Sequence, residues 1–215
     1  MMLDRLSLNI SPFTRDDELI ESVTALKVPK FSCYVFPLTA VVAGHGSTLA
    51  LEVDIEKIIK DMIPVYRRHG GGCSILLDKG TAVVSAAFPA IGFSRIHEIF
   101  VKCTRWLIKG LTRTGITGVY QDGVSDLVID NHKIGGSCLR RSKGFAYFSA
   151  ALLVNSDLSL MDKYLLYPPR EPEYRNKRDH LDFVRNIDWY FPGKTAQNIV
   201  HGFETCLDPN FLTDA

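Results

Sequence analysis

The 215-residue sequence contains no apolar run approaching the ~20 residues that a bilayer-spanning helix needs. No basic start leads into an apolar stretch: Met1 to Asp17 carries Asp4, Asp16 and Asp17, unlike a secretory leader. Cysteine is sparse. Cys33, Cys73, Cys103, Cys138 and Cys206 are odd in number, widely spaced and without a C-x-x-C pair. This argues against a disulfide framework and for free thiols in a reducing cytoplasm. The six histidines show no metal-ligand spacing, so no metal ligand is assigned. An excess of one charge is missing too, since Lys+Arg 25 against Asp+Glu 24 leaves +1. No global field therefore draws the chain to nucleic acid or to a membrane, and any phosphate chemistry must come from a local site. Internal repeats and low-complexity tracts are lacking as well.

What is present is an ordinary globular mixture, 46% hydrophobic and 23% charged, which excludes collagen-like, coiled-coil and wholly disordered chains. The length suits a single domain over 1–215 with ample core. Four segments have helical periodicity. Thr14 and Asp17 resemble a capping box ahead of Leu19, Ile20 and Val23. Asp54 is a good N-cap for Ile55, Ile58, Ile59 and Met62, a stripe stopped by Pro64. Ser94 is placed to cap the longest helix, with Ile96, Ile99, Phe100, Cys103, Trp106 and Leu107 on one face and Gly110 near its end. Thr195 starts the last, with Ile199, Phe203, Cys206 and Leu207 aligned. Between them lie β-rich runs at Phe31–Pro37, Leu38–Ala43, Ser74–Leu77, Thr81–Phe88, Asp126–Asp130 and Gly144–Val154. Helices scattered among neighbouring strands, without β-α-β alternation, predict an α+β fold with a mixed, largely antiparallel sheet flanked by helices.

One segment, at about 167–186, breaks the pattern. It holds Pro168, Pro169 and Pro172 among clustered charges, and its composition reads as an exposed surface loop. A flap or a partner-docking strip is the functional alternative.

Two motifs can carry chemistry. Arg67-Arg68-His69-Gly70-Gly71-Gly72-Cys73-Ser74 joins the helix ending at Pro64 to a strand. Glycines let backbone N–H groups approach a ligand without a Cβ in the way, consecutive N–H groups make an anion-binding concavity, and arginines add charge-assisted hydrogen bonds. A tight turn with surface arginines is the structural alternative. No Gly-Lys-Ser/Thr follows, so this is not a Walker loop. The second motif runs from Asp126 through Asp130-Asn131-His132-Lys133 to Ile134-Gly135-Gly136-Ser137, and reads as a strand, a two-residue turn and a second strand. Lys133 beside paired glycines can set a cation over bound phosphate; a surface lysine beside a hairpin is the plainer outcome.

Together the two motifs resemble the lipoate–protein ligase A family. Arg67-Arg68-x-x-Gly71-Gly72 with Asp78 is similar to its RRxxGG…D loop, and Gly123-Val124-Ser125-Asp126-Leu127-Val128 followed by Lys133-Ile134-Gly135-Gly136-Ser137 to its GRNDLV…KxxGSA segment. Val41-Val42-Ala43-Gly44 and Ala150–Val154 fall where the family has two further strands, so the likeness runs from about Asp17 to Asn186. The resemblance implies the catalytic fold shared by lipoate and biotin ligases, and a two-step reaction. ATP with Mg2+ first converts lipoate, the substrate, to lipoyl-AMP; a lysine of a lipoyl carrier domain then takes the acyl group. Such carriers resemble the glycine cleavage H protein or a dehydrogenase E2. Carried over, Lys133 is the catalytic residue, contacting the acyl oxygen and the α-phosphate. Arg68, Gly71, Gly72, Cys73, Ser74, Asp126, Gly136 and Ser137 would hold the nucleotide or adenylate. Arg67, His69, Gly70, Leu77, Ser149 and Ala150 would face the acyl substrate. Around them Ile75, Leu76, Val83, Val84 and Phe148 are candidates to line an acyl pocket.

The sequence departs from the family pattern at Cys73, Leu77, Val124-Ser125, Phe148-Ser149-Ala150 and His45, where the family has a third glycine, His, Arg-Asn, His-His-Gly and Arg. An accessory C-terminal domain found in some ligases is not expected before Ala215, and a separate accessory subunit would supply it. Two other functions stay open. One is an ATP-independent octanoyl or lipoyl transferase using a cysteine thioester. Gly115–Ser125 and Tyr167–Arg170 lack the cysteines such enzymes place there, which leaves Cys73 as the candidate nucleophile. The other is a non-catalytic lipoyl-binding homologue. Biotin ligases are disfavoured, because their GRGRxxR loop does not occur.

Overall fold

The computed structural model describes residues 8–90, 95–142 and 144–213. Among the described residues ten strands form two sheets: β1 (Ile10–Pro12), β2 (Lys30–Val35), β3 (Ala40–Ala43), β4 (Val65–Arg67), β5 (Ile75–Leu77), β6 (Thr81–Pro89), β7 (Tyr120–Asp122), β8 (Asp126–Ile129), β9 (His132–Ser142) and β10 (Phe145–Leu153). The helices are α1 (Asp17–Leu26), α2 (Ile55–Lys60), α3 (Ile96–Arg113), α4 (Ser159–Tyr164), α5 (His180–Phe183), α6 (Ile187–Tyr190) and α7 (Ala196–Cys206). The larger sheet is antiparallel throughout, in the order β2-β6-β10-β9-β8-β7. The smaller, β1-β4-β3-β5, is mixed: β4 runs parallel to β1 and β3, and β5 is antiparallel to β3. The α+β class and the mostly antiparallel pairing are as expected, but the strands divide into two sheets.

Alternation decides what each face of the larger sheet meets. Ala82, Val84, Ala86 and Phe88 of β6 and Ala146, Phe148, Ala150 and Leu152 of β10 enter one core with Ile99, Cys103, Trp106 and Leu107 of α3 and Ile199, Val200 and Phe203 of α7. Burial of the valine, leucine, isoleucine and phenylalanine side chains among these stabilises each by about 1.5–3 kcal/mol before the entropy of ordering is subtracted. Gly110 sits within the last turn of α3 and does not terminate it. A Cβ there would lie 2.6 Å from Leu207 Cδ2, so glycine permits close packing against the end of α7. The opposite face, carrying Val83, Ser85, Ser149 and Ala151, turns toward the smaller sheet, where Tyr34, Phe36, Ala40, Val42, Leu77 and Val83 pack together.

Two helix starts follow the sequence. The Asp54 carboxylate accepts from Lys57 N at 3.0 Å, and Thr195 with Asn198 forms a capping box on α7. The Thr14 box does not form: Asp16 is the residue preceding α1, and Thr14 contributes only its carbonyl, to Asp17 N. The cause is that Asp16 is drawn into the sheet, as described below. Ser94 lies outside the described residues; Arg95 precedes α3, and its N–H donates to Glu98 at 3.2 Å.

The charged segment at 167–186 exposes many of its residues, but it is anchored at the buried Arg175, Phe183 and Val184. Arg175 is 4% exposed and stacks its guanidinium over the rings of Tyr167 and Phe183, and Phe183 is buried. The chain there passes beside β9, with Val184 bridged to Lys133 and Arg185 N donating to Lys133 O at 2.9 Å. It forms a strap over the start of β9. No helix among the described residues is long and apolar enough to cross a membrane.

Candidate functional site

The glycine loop is held from behind by its carbonyls. Gly70 O accepts from His45 N at 2.9 Å, Gly71 O from Arg68 Nη2 at 2.7 Å, Gly72 O from Ser47 Oγ at 3.0 Å, and Cys73 O from the same Arg68 nitrogen at 2.8 Å. Four consecutive acceptors are thus satisfied by the protein, while among the described residues the N–H groups of Gly71, Gly72 and Cys73 meet no acceptor. Peptide units pinned this way present donors outward, the geometry of an anion-receiving concavity. Glycine is required on steric or conformational grounds at Gly72 and Gly44. Gly72 has φ +92, and a Cβ on Gly44 would sit 1.9 Å from Gly72 O.

Both arginines differ from expectation. Arg68 is 8% exposed and also donates to Val42 O at 2.7 Å, so its guanidinium braces the loop instead of reaching outward. Arg67 donates to the carbonyls of Gly44, His45 and Ser47. Their terminal nitrogens are engaged by main-chain oxygens and shape the cradle, while the buried Arg68 Nε has no hydrogen-bond partner among the described residues. Ser74 closes the loop: its N and Oγ each donate at 2.6 Å to the buried Glu52 carboxylate, a residue that the sequence motifs do not flag. Beside the loop, Ile10, Ser11, Pro12, His45, Arg67, Arg68 and His69 line an open hollow of about 380 Å3.

The lysine motif occupies the start of β9. Asp130 and Asn131, at φ 44 and 64, make the two-residue turn expected from the sequence. A bulge follows. Val128 pairs with Lys133 and Leu127 with Gly135, leaving Ile134 as the extra residue, buried in the helix-side core. The bulge shifts the alternation, so Lys133 and Gly136 share a face: a Cβ on Gly136 would lie 3.0 Å from Lys133 Nζ and 3.4 Å from Asp126 Oδ1. Lys133 Nζ pairs with Asp126 Oδ1 at 2.8 Å, and Asp126 Oδ2 accepts from the Tyr174 hydroxyl at 3.0 Å.

Cys138 and Arg140 continue the Lys133–Gly136 face. Gly70 is seated on Cys138, where a Cβ would meet Sγ at 2.3 Å, and Arg140 Nη1 meets His69 Nδ1 at 3.0 Å. Loop and ammonium therefore lie along one strand. Gly136 and Cys138 are separated by roughly 7 Å at the rise of an extended chain. His69 also ties the loop to α1 through Asp17 Oδ1 at 2.6 Å, and burial raises the pKa of the Cys138 thiol beneath it.

Several candidate residues are placed elsewhere. Ala150, Val84 and Phe148 belong to the core under α3 and α7, on the wrong face to line a site with Lys133. Leu77, Ile75 and Val83 pack between the two sheets, and Leu76 lies in a third cluster around α2 and α4, so no single apolar pocket gathers this set. Ser137 and Ser125 exchange hydrogen bonds with each other's main chain at 3.3 and 3.4 Å. Ser149 does face the loop side, but its hydroxyl is engaged by Ser85 Oγ at 2.9 Å, donating to it because the Ser85 proton goes to Asp16.

Ser85 leads to a second group absent from the motifs. The Asp16 carboxylate, 1% exposed, accepts from Tyr147 at 2.6 Å, Ser85 at 2.8 Å and Tyr34 at 3.4 Å. Burial raises its pKa above the ordinary carboxylate value, outweighing the hydroxyl donors. Within the window between those two values the folded protein retains a proton that the unfolded chain has lost. Stability is therefore greatest below the window and falls as pH rises through it. Asp16→Asn removes that titration, so its stability relative to wild type is expected to climb with pH from the acid side. Urea midpoints measured across pH check this; parallel profiles for the two proteins would contradict it.

A glycine loop whose N–H groups meet no protein acceptor among the described residues thus shares one sheet face with an ammonium. Residues 10–204 match the lipoyl protein ligase A/B catalytic domain, and the chain belongs to that family. Among curated relatives, a lipoate–protein ligase of Streptococcus pyogenes is 29% identical over 144 residues, 67% of this chain and 42% of the relative. Lipoate–protein ligase 2 of Staphylococcus aureus is 30% identical over 122 residues, 57% of this chain and 35% of that protein. The chain thus spans less than half the length of these relatives. Among solved structures, a bipartite lipoate protein ligase from Thermoplasma acidophilum, studied with its E2 lipoyl domain, superposes with a TM-score of 0.72 at 22% identity, over 92% of this chain and 80% of that one. A lipoate-protein ligase A bound with ATP gives 0.70 at 23%, over 92% and 82%. These likenesses establish the fold.

Proposed function

We propose that the chain activates lipoate, or a similar medium-chain acid, with ATP and passes the acyl group to a lysine of a lipoyl carrier domain. The observation that supports this is the glycine loop: its carbonyls are tied back, its N–H groups meet no acceptor among the described residues, and it is seated on the strand that bears Lys133. In the first step a carboxylate oxygen bonds to the α-phosphorus, the bond to the β-phosphate oxygen breaks, and pyrophosphate leaves. Charge grows on the phosphate oxygens, and fixed N–H donors with an ammonium stabilise it without reorganisation. Lys133 would move from Asp126 to the acyl and α-phosphate oxygens. In the second step a carrier lysine nitrogen bonds to the acyl carbon and AMP departs, with Asp126 orienting the amine or the nucleotide.

Magnesium fits this site as part of the nucleotide substrate. Among the described residues no group of three His, Cys, Asp or Glu side chains is placed to hold a metal ion. Asp126, the carboxylate beside Lys133, is the protein ligand available to a cation carried mainly by phosphates. The match to a bipartite ligase supports a separate accessory subunit and a carrier like an E2 lipoyl domain. Five free thiols accord with a cytoplasmic setting. The thioester alternative has less support, because Arg67 and Arg68, the arginines nearest Cys73 in sequence, donate to carbonyl oxygens and not to its thiol.

Lipoate-dependent exchange of labelled pyrophosphate into ATP tests the first step without a carrier. Exchange that requires both lipoate and Mg2+ is expected. An acyl adduct on Cys73, formed from an acyl-carrier thioester without ATP, would favour the transferase instead.

A further inference from the structure

We propose that Tyr174 is a positioning residue for Lys133, acting through Asp126; this rests on the role given to Lys133 above. Asp126 is shared. One oxygen holds the Lys133 ammonium at 2.8 Å and the other accepts the Tyr174 hydroxyl at 3.0 Å, with the Asp126 side chain 14% exposed. Tyr174 comes from the strap, far from Asp126 in sequence, and the strap is built to hold it there. Its ring packs against buried Phe183 at 5.1 Å between centroids, and Phe183 is clamped by the Arg175 guanidinium. Gly123, at φ +57, lets Pro172 and Tyr174 approach: a Cβ there would meet Pro172 Cβ at 3.2 Å and Tyr174 Cε1 at 3.7 Å. The same strap grips the Lys133 main chain through Arg185 N and the Val184 bridge. One element thus fixes both members of the ion pair.

The chemistry needs Lys133 to leave Asp126 when phosphate arrives. A carboxylate that lost its only protein donor would pull the ammonium back and repel the incoming anion. The Tyr174 hydroxyl remains on Asp126 throughout. Asp126 Oδ2 can only accept, so at 3.0 Å the Tyr174 hydroxyl is the donor of this pair. It thereby lowers the cost of releasing the ammonium to substrate. Packing does not require the hydroxyl, since a phenylalanine ring would fill the same space against Phe183.

Tyr174→Phe is therefore expected to raise KM for ATP in the pyrophosphate exchange about tenfold, with kcat within about twofold and the unfolding midpoint unchanged, as fits the loss of one hydrogen bond to a charged group. A double-mutant cycle separates positioning from general support. Titrated with a non-hydrolysable ATP analogue, Tyr174→Phe should weaken binding in the wild-type background and have no further effect in Asp126→Asn. A wild-type KM in Tyr174→Phe, or an equal loss of affinity in both backgrounds, would overturn the proposal. If Lys133→Ala exchanges pyrophosphate like wild type, the assignment of Lys133 itself fails, whatever Tyr174→Phe does.

Discussion

Replacing Lys133 by alanine is expected to reduce lipoate-dependent pyrophosphate exchange by about 10²–10³-fold, the usual loss when one preorganised donor to a developing oxyanion is removed. The fold should survive. The Lys133 side chain is 28% exposed and its ion pair with Asp126 is partly solvated, so losing it costs about 1 kcal/mol or less. Tyr174 continues to satisfy the carboxylate. Lys133→Arg should not rescue the loss. A longer, planar guanidinium does not put its charge where the compact ammonium sits beside Gly136 and Asp126. Exchange rates for the three proteins, set beside their urea midpoints, check this; an active Lys133→Ala would refute it.

The second large effect concerns the loop. Gly44→Ala is expected to destabilise the protein by about 3 kcal/mol, because its methyl would meet a main-chain oxygen that cannot rotate away. That oxygen, Gly72 O, is also the acceptor for Ser47 Oγ, which in turn accepts from Gly44 N at 3.1 Å, so the clash strikes the brace of the loop. Gly71→Ala gives the opposite balance. Nothing lies within 4 Å of a Cβ there, so stability should change by less than about 1 kcal/mol. Activity should fall about tenfold or more, since the methyl intrudes where substrate must approach the N–H groups. Denaturation and pyrophosphate exchange on both variants separate the two roles. Equal effects on stability would contradict the geometry.

Local chemistry in the sequence foretold the parts of this structure that local chemistry controls. Asp54 and Thr195 cap helices because a side-chain oxygen within reach of free N–H groups needs little else. Asp130-Asn131 turns because both residues tolerate positive φ. The glycine loop and Lys133 were legible as motifs. Contacts between distant segments were not. Arg67 and Arg68 look like anion ligands until the carbonyls of β3, the turn after it and the loop are seen to take their donors. The bulge at Ile134, which turns Lys133 to the face of Gly136, leaves only the paired glycines as a sequence trace. Val84, Phe148 and Ala150 sit in strands rich in apolar residues on both faces, so the strand pattern did not tell which side meets the helices. Tyr174 lay hidden in a segment whose charge suggested solvent. Its spacing with Tyr167 and Phe183, aromatic residues flanking Arg175, was the available sign that the strap packs.

The central claim is that the Gly71–Gly72 backbone and the Lys133 ammonium grip one mixed anhydride. A crystal structure with a non-hydrolysable lipoyl-adenylate analogue tests it most directly. The account predicts the analogue's phosphate mimic within hydrogen-bond distance of the loop N–H groups, with Lys133 Nζ withdrawn from Asp126 onto the acyl and phosphate-mimic oxygens. An analogue bound away from the loop, or one that leaves the Lys133–Asp126 pair intact, would contradict it.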